Sequence, residues 1–349
     1  VDKLRRSIFE IDPQLRRDAL GKLWSEITDL GWHAVIVPEP SGGAGGDLRD
    51  LASFTEGLAR SALPLPVSSA CGLTPLLLIA CGRAGQELLA GLPSGKYRVV
   101  TAIDEVHARG GGGIRISSGG TGKLRLEGSL LGIDCLPDAT HYLIACRVDG
   151  QGALILLRND SAAVTVRWHE RMDRRPSIDL MLTGQVLPSS IVIARGSHVV
   201  SASRGAVASA VLLACIETVG AMGALLEQTI EYLSRRIQFG APLSSFQALR
   251  HRVAELYASY EHSRAMVAFV LKQTSNADWP TRELAITKMR LGSAARRFAA
   301  TTIQLHGGMG VSDELPASRL SKRLLMLDFE FGDSIHYEWQ LLVSGRQIA

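Results

Sequence analysis

The 349-residue sequence predicts an α+β protein built from three consecutive parts. Apolar residues recur with the helical period up to about Leu92, with a period of two from about Lys96, and with the helical period again from about Ser197. These changes of period place an N-terminal helical domain over 1–95, an antiparallel β-domain, barrel or sandwich, over 96–196, and a bundle of long helices over 197–349.

In the first part, Leu15, Leu20, Leu23, Ile27 and Leu30 line one face of a helix beginning near Pro13. Further helices are expected from Leu48 to Arg60 and from Leu73 to Ala80. Between the first two lies GWHAVIVPEPSGGAGG, whose glycines and prolines end one helix and delay the next, leaving a loop from Pro38 to Gly46. In the second part, IRIS (114–117), KLRLEG (123–128), HYLIACRV (141–148), GALILL (152–157), VTVRW (164–168) and LMLTGQV (180–186) read as short strands separated by Gly, Asp and Pro turns. In the third, the run from Val199 to Arg236 is apolar on nearly all sides, as in a helix enclosed by a bundle, and is roughly 50 Å long at ~1.5 Å per residue. Two more long helices follow over 243–273 and 279–305.

The composition, 46% hydrophobic and 21% charged, is that of a globular protein long enough for more than one core. The net charge of +4 is spread thinly. Its short clusters, Leu4-Arg5-Arg6 and Arg171 to Arg175, lack interleaved aromatics, so nucleic acid is not an expected partner. Five cysteines, Cys71, Cys81, Cys135, Cys146 and Cys215, form no C-x-x-C pair and no metal-ligand spacing with the nine histidines. They read as reduced core thiols, and no metal is expected. With no signal-peptide pattern and no apolar run approaching the roughly 18 residues of a spanning helix, a cytoplasmic protein without membrane insertion is expected. GGAGGD (42–47) precedes a helix but follows Pro and Ser in the wrong register for a dinucleotide fingerprint, and no Walker loop, H-E-x-x-H or G-x-S-x-G occurs.

Two glycine bends carry the chemistry. RRIQFGAPLSSFQ (235–247) joins two long helices and sets Arg236 three residues before Phe239 and four before Gly240. A forked cation beside an aromatic plane suits a pyrophosphate next to a flat ring. Taken alone, an R-x-x-F-G turn is usually just a helix C-cap with a packed Phe. QLHGGMG (304–310) crowds three glycines around one histidine, which a buried core does not require.

With both bends present, the chain resembles the acyl-CoA dehydrogenase family, flavoenzymes with an N-terminal helical domain, a central antiparallel β-barrel and a C-terminal four-helix bundle. The resemblance covers nearly the whole chain. GWHAVIVPEPSGGAGGDLRDLASFTEGLAR looks like the family's N-terminal turn and following helix, while YLSRRIQFGAPLSSFQALRHRVAEL and QLHGGMGVSDELPASRLSKRL are its specific part. The resemblance implies FAD as cofactor, α,β-dehydrogenation of an acyl-CoA as the reaction, and an electron-transfer acceptor as a partner. It also implies that both bends lie on the flavin of a neighbouring subunit. Arg236, Gln238 and Phe239 would meet its pyrophosphate and adenosine, and Gln304 with the Gly307-Gly308 backbone would close over the ADP portion, where a side chain would hold the backbone away. His306 either shares in this or is a bend residue packing on the bundle.

Elsewhere the sequence departs from the family. Members that bind FAD on the β-domain carry a T-E-P-G-x-G-S type segment and a W-I-[ST] segment whose Trp backs the isoalloxazine. The first falls at Ala102-Ile103-Asp104-Glu105-Val106, keeping only Glu105, and the second on LLGID, placing Gly132 at the Trp and Asp134 at the hydroxyl residue. A stacking surface is lost, and Asp134 beside a reduced, anionic flavin is unfavourable. The reaction needs a carboxylate to take the α-proton while flavin N5 takes the β-hydride. The family's two base positions correspond to Phe331 in FEFGDS and to about Ala210, neither of them acidic. Glu217, alone in LLACIETVGAMG, is a candidate for a relocated base or a structural carboxylate paired with an Arg; Glu330 and Asp333 are expected to cap the final helix or face water. The pattern resembles the non-catalytic subunit of a heteromeric (α2β2) acyl-CoA dehydrogenase acting on bulky CoA esters such as steroid side-chain intermediates, its partner supplying base and isoalloxazine pocket. The alternatives are a self-sufficient homo-oligomer with a relocated base, a related oxidase or monooxygenase, and a flavin-free pseudoenzyme scaffold.

Overall fold

The computed structural model describes residues 13–107, 113–274 and 279–346; the Arg5-Arg6 cluster lies outside them. The described residues pack as two compact units, one of 13–51 with 64–210 and the other of 52–63 with 211–346.

The first unit begins with α1 (Pro13–Asp29), which buries Leu20, Leu23 and Ile27 but leaves Leu15 about 60% exposed, as is Leu30 just past its end. The apolar stripe is therefore shorter than its period suggests. The chain continues into α2 (Leu48–Ala59), which from Ala52 on belongs to the second unit, then a π-helical turn (Ser68–Leu73), α3 (Thr74–Ala80) and α4 (Gln86–Gly91). The β-domain holds β1 (Val99–Ile103), the short α5 (Asp104–His107), β2 (Gly113–Ser118), β3 (Lys123–Asp134), β4 (His141–Val148), β5 (Gln151–Arg158), β6 (Val164–Glu170), β7 (Pro176–Pro188) and β8 (Val192–Arg195).

This domain differs from an antiparallel barrel in two respects. Its strands form two separate four-stranded sheets, β1-β4-β5-β8 and β2-β3-β7-β6, and β1 pairs parallel with β4 in the register Val99↔His141. The cause is topological. β2 and β3 leave for the second sheet, so the chain returns to β1 by a crossover, and only a crossover can join parallel neighbours. The sheets share one core, with Val100, Ala102, Ile144 and Ile155 from the first meeting Leu126, Leu130, Ile133, Ile178 and Leu180 from the second.

The second unit is built on α6 (Ser197–Arg235) from Val211 on, α7 (Gln247–Gln273), α8 (Thr281–His306) and α9 (Pro316–Phe329), followed by α10 (Ser334–Arg346). Met222, Leu225 and Leu233 of α6 share a core with Leu256 of α7, Phe298 and Leu305 of α8, and Leu320, Leu324 and Leu327 of α9, which makes the four-helix bundle. Contrary to the expectation of no such run, α6 is long and apolar enough to cross a membrane, but its apolar window is entirely buried within the chain. Burial on every side accounts for a helix without a polar face. All five cysteines are buried and unbridged. Burial pushes the Cys71 thiol up to about 12 and Cys215 up to about 11, so both stay protonated and unreactive.

Candidate functional site

The first bend is a hairpin. α6 ends at Arg235, and the Arg236 N–H still donates to Tyr232 O at 2.9 Å. Two-residue strands β9 (Ile237–Gln238) and β10 (Ala241–Pro242) then pair antiparallel. Phe239 (φ 54) and Gly240 (φ 80) connect them, with the positive φ at both central positions that marks a type I′ turn. Glycine adopts this conformation freely, whereas a phenylalanine held there costs of order 1–3 kcal/mol. The ring gains little in return within this chain: it is 91% exposed and makes one edge-on contact with Phe246, with centroids 6.2 Å apart. This is not the packed phenylalanine of a helix C-cap. Arg236 and Gln238 beside it are exposed as well.

The second bend follows α8. Gln304, Gly307 and Gly308 are exposed, and a Cβ added at either glycine would meet nothing within 4 Å. Space does not require glycine at 308, and at 307 the requirement is the backbone's own positive φ of 61 rather than packing, unlike Gly310, where a Cβ would lie 2.5 Å from Ile303 O. His306 is buried, its Nδ1–H donates to Thr302 O at 2.9 Å, and its ring stacks on Tyr232 at 4.6 Å. The Tyr232 hydroxyl also donates to His306 O at 3.2 Å. His306 is thus a bend residue packed on the bundle. Tyr232, which the sequence does not single out, fastens the two bends together; its one signal is its place four residues before Arg236.

Burial lowers the His306 pKa from 6.5, the Thr302 carbonyl opposing this in part. The folded state therefore favours neutral His306, so its contribution to stability is present above about pH 6.5 and is lost as pH falls. The melting temperature of the wild type should drop more steeply between about pH 7 and pH 5 than that of His306→Gln.

Neither residue expected at a base position is a carboxylate. Ala210 is fully buried, and Phe331, at φ 56, is half-buried with its carbonyl accepting the Tyr337 hydroxyl at 2.9 Å. Glu217 is buried and accepts from Arg323 through both oxygens, Nε to Oε1 at 2.7 Å and Nη2 to Oε2 at 2.8 Å. The expectation that Glu330 caps the final helix or faces water does not hold. Glu330 is 6% exposed and pairs with the same guanidinium, Nη2 donating to Oε2 at 3.0 Å. Asp333 does cap α10, its Oδ1 accepting the His336 N–H at 2.7 Å. Lys288, also buried, donates to Asp328 O at 3.2 Å at the end of α9, and burial lowers its pKa.

On the β-domain, Gly132 (φ 64) lies where the β3–β7 register shifts, and its N–H donates to Asp179 Oδ1 at 2.9 Å. Asp134 is buried and ion-paired with Arg171, and the Ser69 hydroxyl donates to its Oδ2 at 3.4 Å. Asp134 is therefore not the unmatched negative charge that the sequence suggests. Glu105 is exposed on α5, 3.6 Å from Arg147.

The family model described as acyl-CoA dehydrogenase, N-terminal domain, matches residues 4–95, and the C-terminal domain model matches residues 203–346. The chain belongs to the acyl-CoA dehydrogenase family. It is similar to acyl-CoA dehydrogenase IpdE2 of Mycobacterium tuberculosis, 28% identical over 327 residues that cover 93% of this chain and 84% of that protein. Among solved structures, the steroid ACAD Tcur3481-Tcur3483 superposes with a TM-score of 0.82 at 24% identity, covering 99% of this chain and 97% of that one. The ChsE4-ChsE5 complex from M. tuberculosis gives 0.81 at 21%, with coverages of 99% and 96%. A glutaryl-CoA dehydrogenase from M. smegmatis in complex with FADH2 gives 0.80 at 18%, with coverages of 99% and 96%. The fold of this acyl-CoA dehydrogenase is the family's, its cofactor is FAD, and its reaction class is oxidoreduction at the CH–CH of an acyl-CoA. Its residues fit FAD in one half only. The bends offer an exposed guanidinium, an exposed ring and open glycine backbone, whereas the β-domain presents a bulge glycine and an ion pair where the sequence resemblance expects the ring-stacking segment.

Proposed function

We propose that this chain is one subunit of a heteromeric FAD-dependent acyl-CoA dehydrogenase, contributing the ADP-clamp half of a flavin site whose ring pocket and base belong to a second family member. The observation that carries this is Phe239, an almost fully exposed ring on a strained turn, which gains a reason only against something outside the chain. In this reading Arg236 binds the pyrophosphate, Phe239 and Gln238 lie at the adenosine, and Gln304 with the Gly307-Gly308 backbone closes over the ADP. Bound there, FAD would accept the hydride released on α,β-dehydrogenation, and an electron-transfer acceptor would reoxidise it. The Tyr232–His306 stack keeps the two halves of the clamp in register. The ChsE4-ChsE5 and Tcur3481-Tcur3483 likenesses support a paired subunit, and the latter's description as a steroid ACAD supports a bulky acyl group. The reading includes a cytoplasmic location.

Arg236→Ala is expected to weaken FAD retention in the assembled complex by about 1.5–3 kcal/mol, roughly 10- to 150-fold, as for a lost charge-assisted contact. Unchanged FAD affinity would remove Arg236 from the site. A self-sufficient enzyme with Glu217 as base is disfavoured because Arg323 engages both of its oxygens. Glu217→Gln should accordingly leave turnover of the assembled enzyme within about tenfold, whereas losing a general base costs about 10²–10⁴.

A further inference from the structure

α10 is apolar on two sides. Ser334 and Tyr337 are buried, and Arg296 of α8 donates through Nη2 to Ser334 Oγ at 3.0 Å. On the other side Ile335, Trp339, Leu342 and Val343 follow the i, i+4, i+7, i+8 spacing of one helix face, and each is 51–71% exposed. A helix that meets only water on its outer side carries polar residues there. These four side chains instead expose on the order of 500 Å² of mainly apolar surface, within the roughly 300–600 Å² of the largest patch on a typical monomer, a patch that is often functional. None of the four belongs to either glycine bend, so the flavin clamp leaves the stripe unexplained.

Charge selects what covers it. Glu338 is exposed beside Trp339. Two copies of α10 packed antiparallel about Trp339 would set Glu338 against its own copy, and such like charges repel. α7 offers the complement. Its outward side presents Tyr257 and Phe269, 55% and 54% exposed, about 18 Å apart along the axis at ~1.5 Å per residue, with the small Ala258 and Ala265 between them. On the same scale the stripe on α10 spans about 12 Å and fits between the two rings. Arg250 and Lys272, exposed toward the two ends of α7, outnumber the exposed Glu255, while Glu261 is paired with Arg264 at 2.7 Å, so this side is net positive and suits Glu338.

We propose that two copies of this chain associate here, the α10 stripe of each seated on the outer side of α7 of the other. Reciprocal docking closes a two-fold dimer. It covers about 700 Å² on each copy, close to the ~800 Å² that one partner gives to a standard interface. The contact goes beyond the shared flavin site and does not depend on it.

Sedimentation equilibrium of the intact chain alone is the test, and a dimer at micromolar concentration is expected. Trp339→Glu and Tyr257→Glu should each weaken self-association roughly 30-fold or more, because a charge replaces an aromatic anchor of the interface. Mixed in equal amounts, the two variants should associate more tightly than either alone, since a mixed dimer keeps one of its two contacts intact. A contact between two α10 helices gives no such rescue. Both side chains are more than half exposed, so the variants are expected to fold, which circular dichroism checks. The proposal is overturned by a wild-type chain that stays monomeric at roughly 50 μM, even if a catalytic partner then covers the stripe, by either substitution leaving the dimer unchanged, or by a mixture no tighter than the variants alone. Arg236→Ala should leave the dimer intact, which keeps this test separate from the flavin-clamp reading.

Discussion

Arg323→Met is expected to lower the unfolding free energy by about 3–5 kcal/mol, because it removes the guanidinium that pairs with both Glu217 and Glu330, two carboxylates nearly inaccessible to water. The guanidinium lies between the two carboxylates, one on α6 and the other just past the end of α9, and so ties the segment bearing Phe331 to the centre of the bundle. Glu217→Gln should cost less, since Arg323 keeps Glu330 and the amide still accepts one hydrogen bond. Replacing all three residues with apolar ones of similar volume should recover much of the loss, because the desolvation cost of the ions disappears with them. Urea denaturation of the four proteins checks the order. Arg323→Met no less stable than Glu217→Gln would show that the buried charges are not held by this guanidinium.

The fold was legible where local patterns are dense. β4 runs from His141 to Val148 as the sequence predicts, because a β-branched and aromatic run is bounded there by turn residues. β1 was not legible: Val99 to Ile103 is buried at every position, so it shows no alternation, and nothing local announces a parallel partner more than forty residues on. β8 is four residues long and too short for a period. At the site, the two bends were legible because glycine and proline punctuate the chain so strongly. That Glu217 needs a cation followed from a lone acid in an apolar helix, but which one did not, since Arg323 is 106 residues away. Glu330 was misplaced for the same reason: its neighbours in FEFGDS read as a surface loop, and only tertiary packing buries it.

The central claim concerns a division of labour. In the proposed reading the clamp residues, which are exposed on this chain, hold the ADP, whereas Gly132 and Phe331 stand where the family resemblance expects the stacking Trp and the base. Restoring the ring by Gly132→Trp should not restore activity. The backbone there is left-handed at φ 64, which strains any residue with a Cβ, the Asp134–Arg171 pair remains, and no carboxylate is supplied. On the proposed reading, a site with two unlike halves would gain its activity only on assembly.

The most direct measurement is flavin absorbance together with acyl-CoA-dependent acceptor reduction, made on this chain alone and on its complex with a family member that retains the Trp and the Glu. The account predicts a colourless, inactive chain alone, and about one FAD per two chains with turnover in the complex. A yellow homo-oligomer carrying one FAD per chain and oxidising acyl-CoA unaided would contradict it.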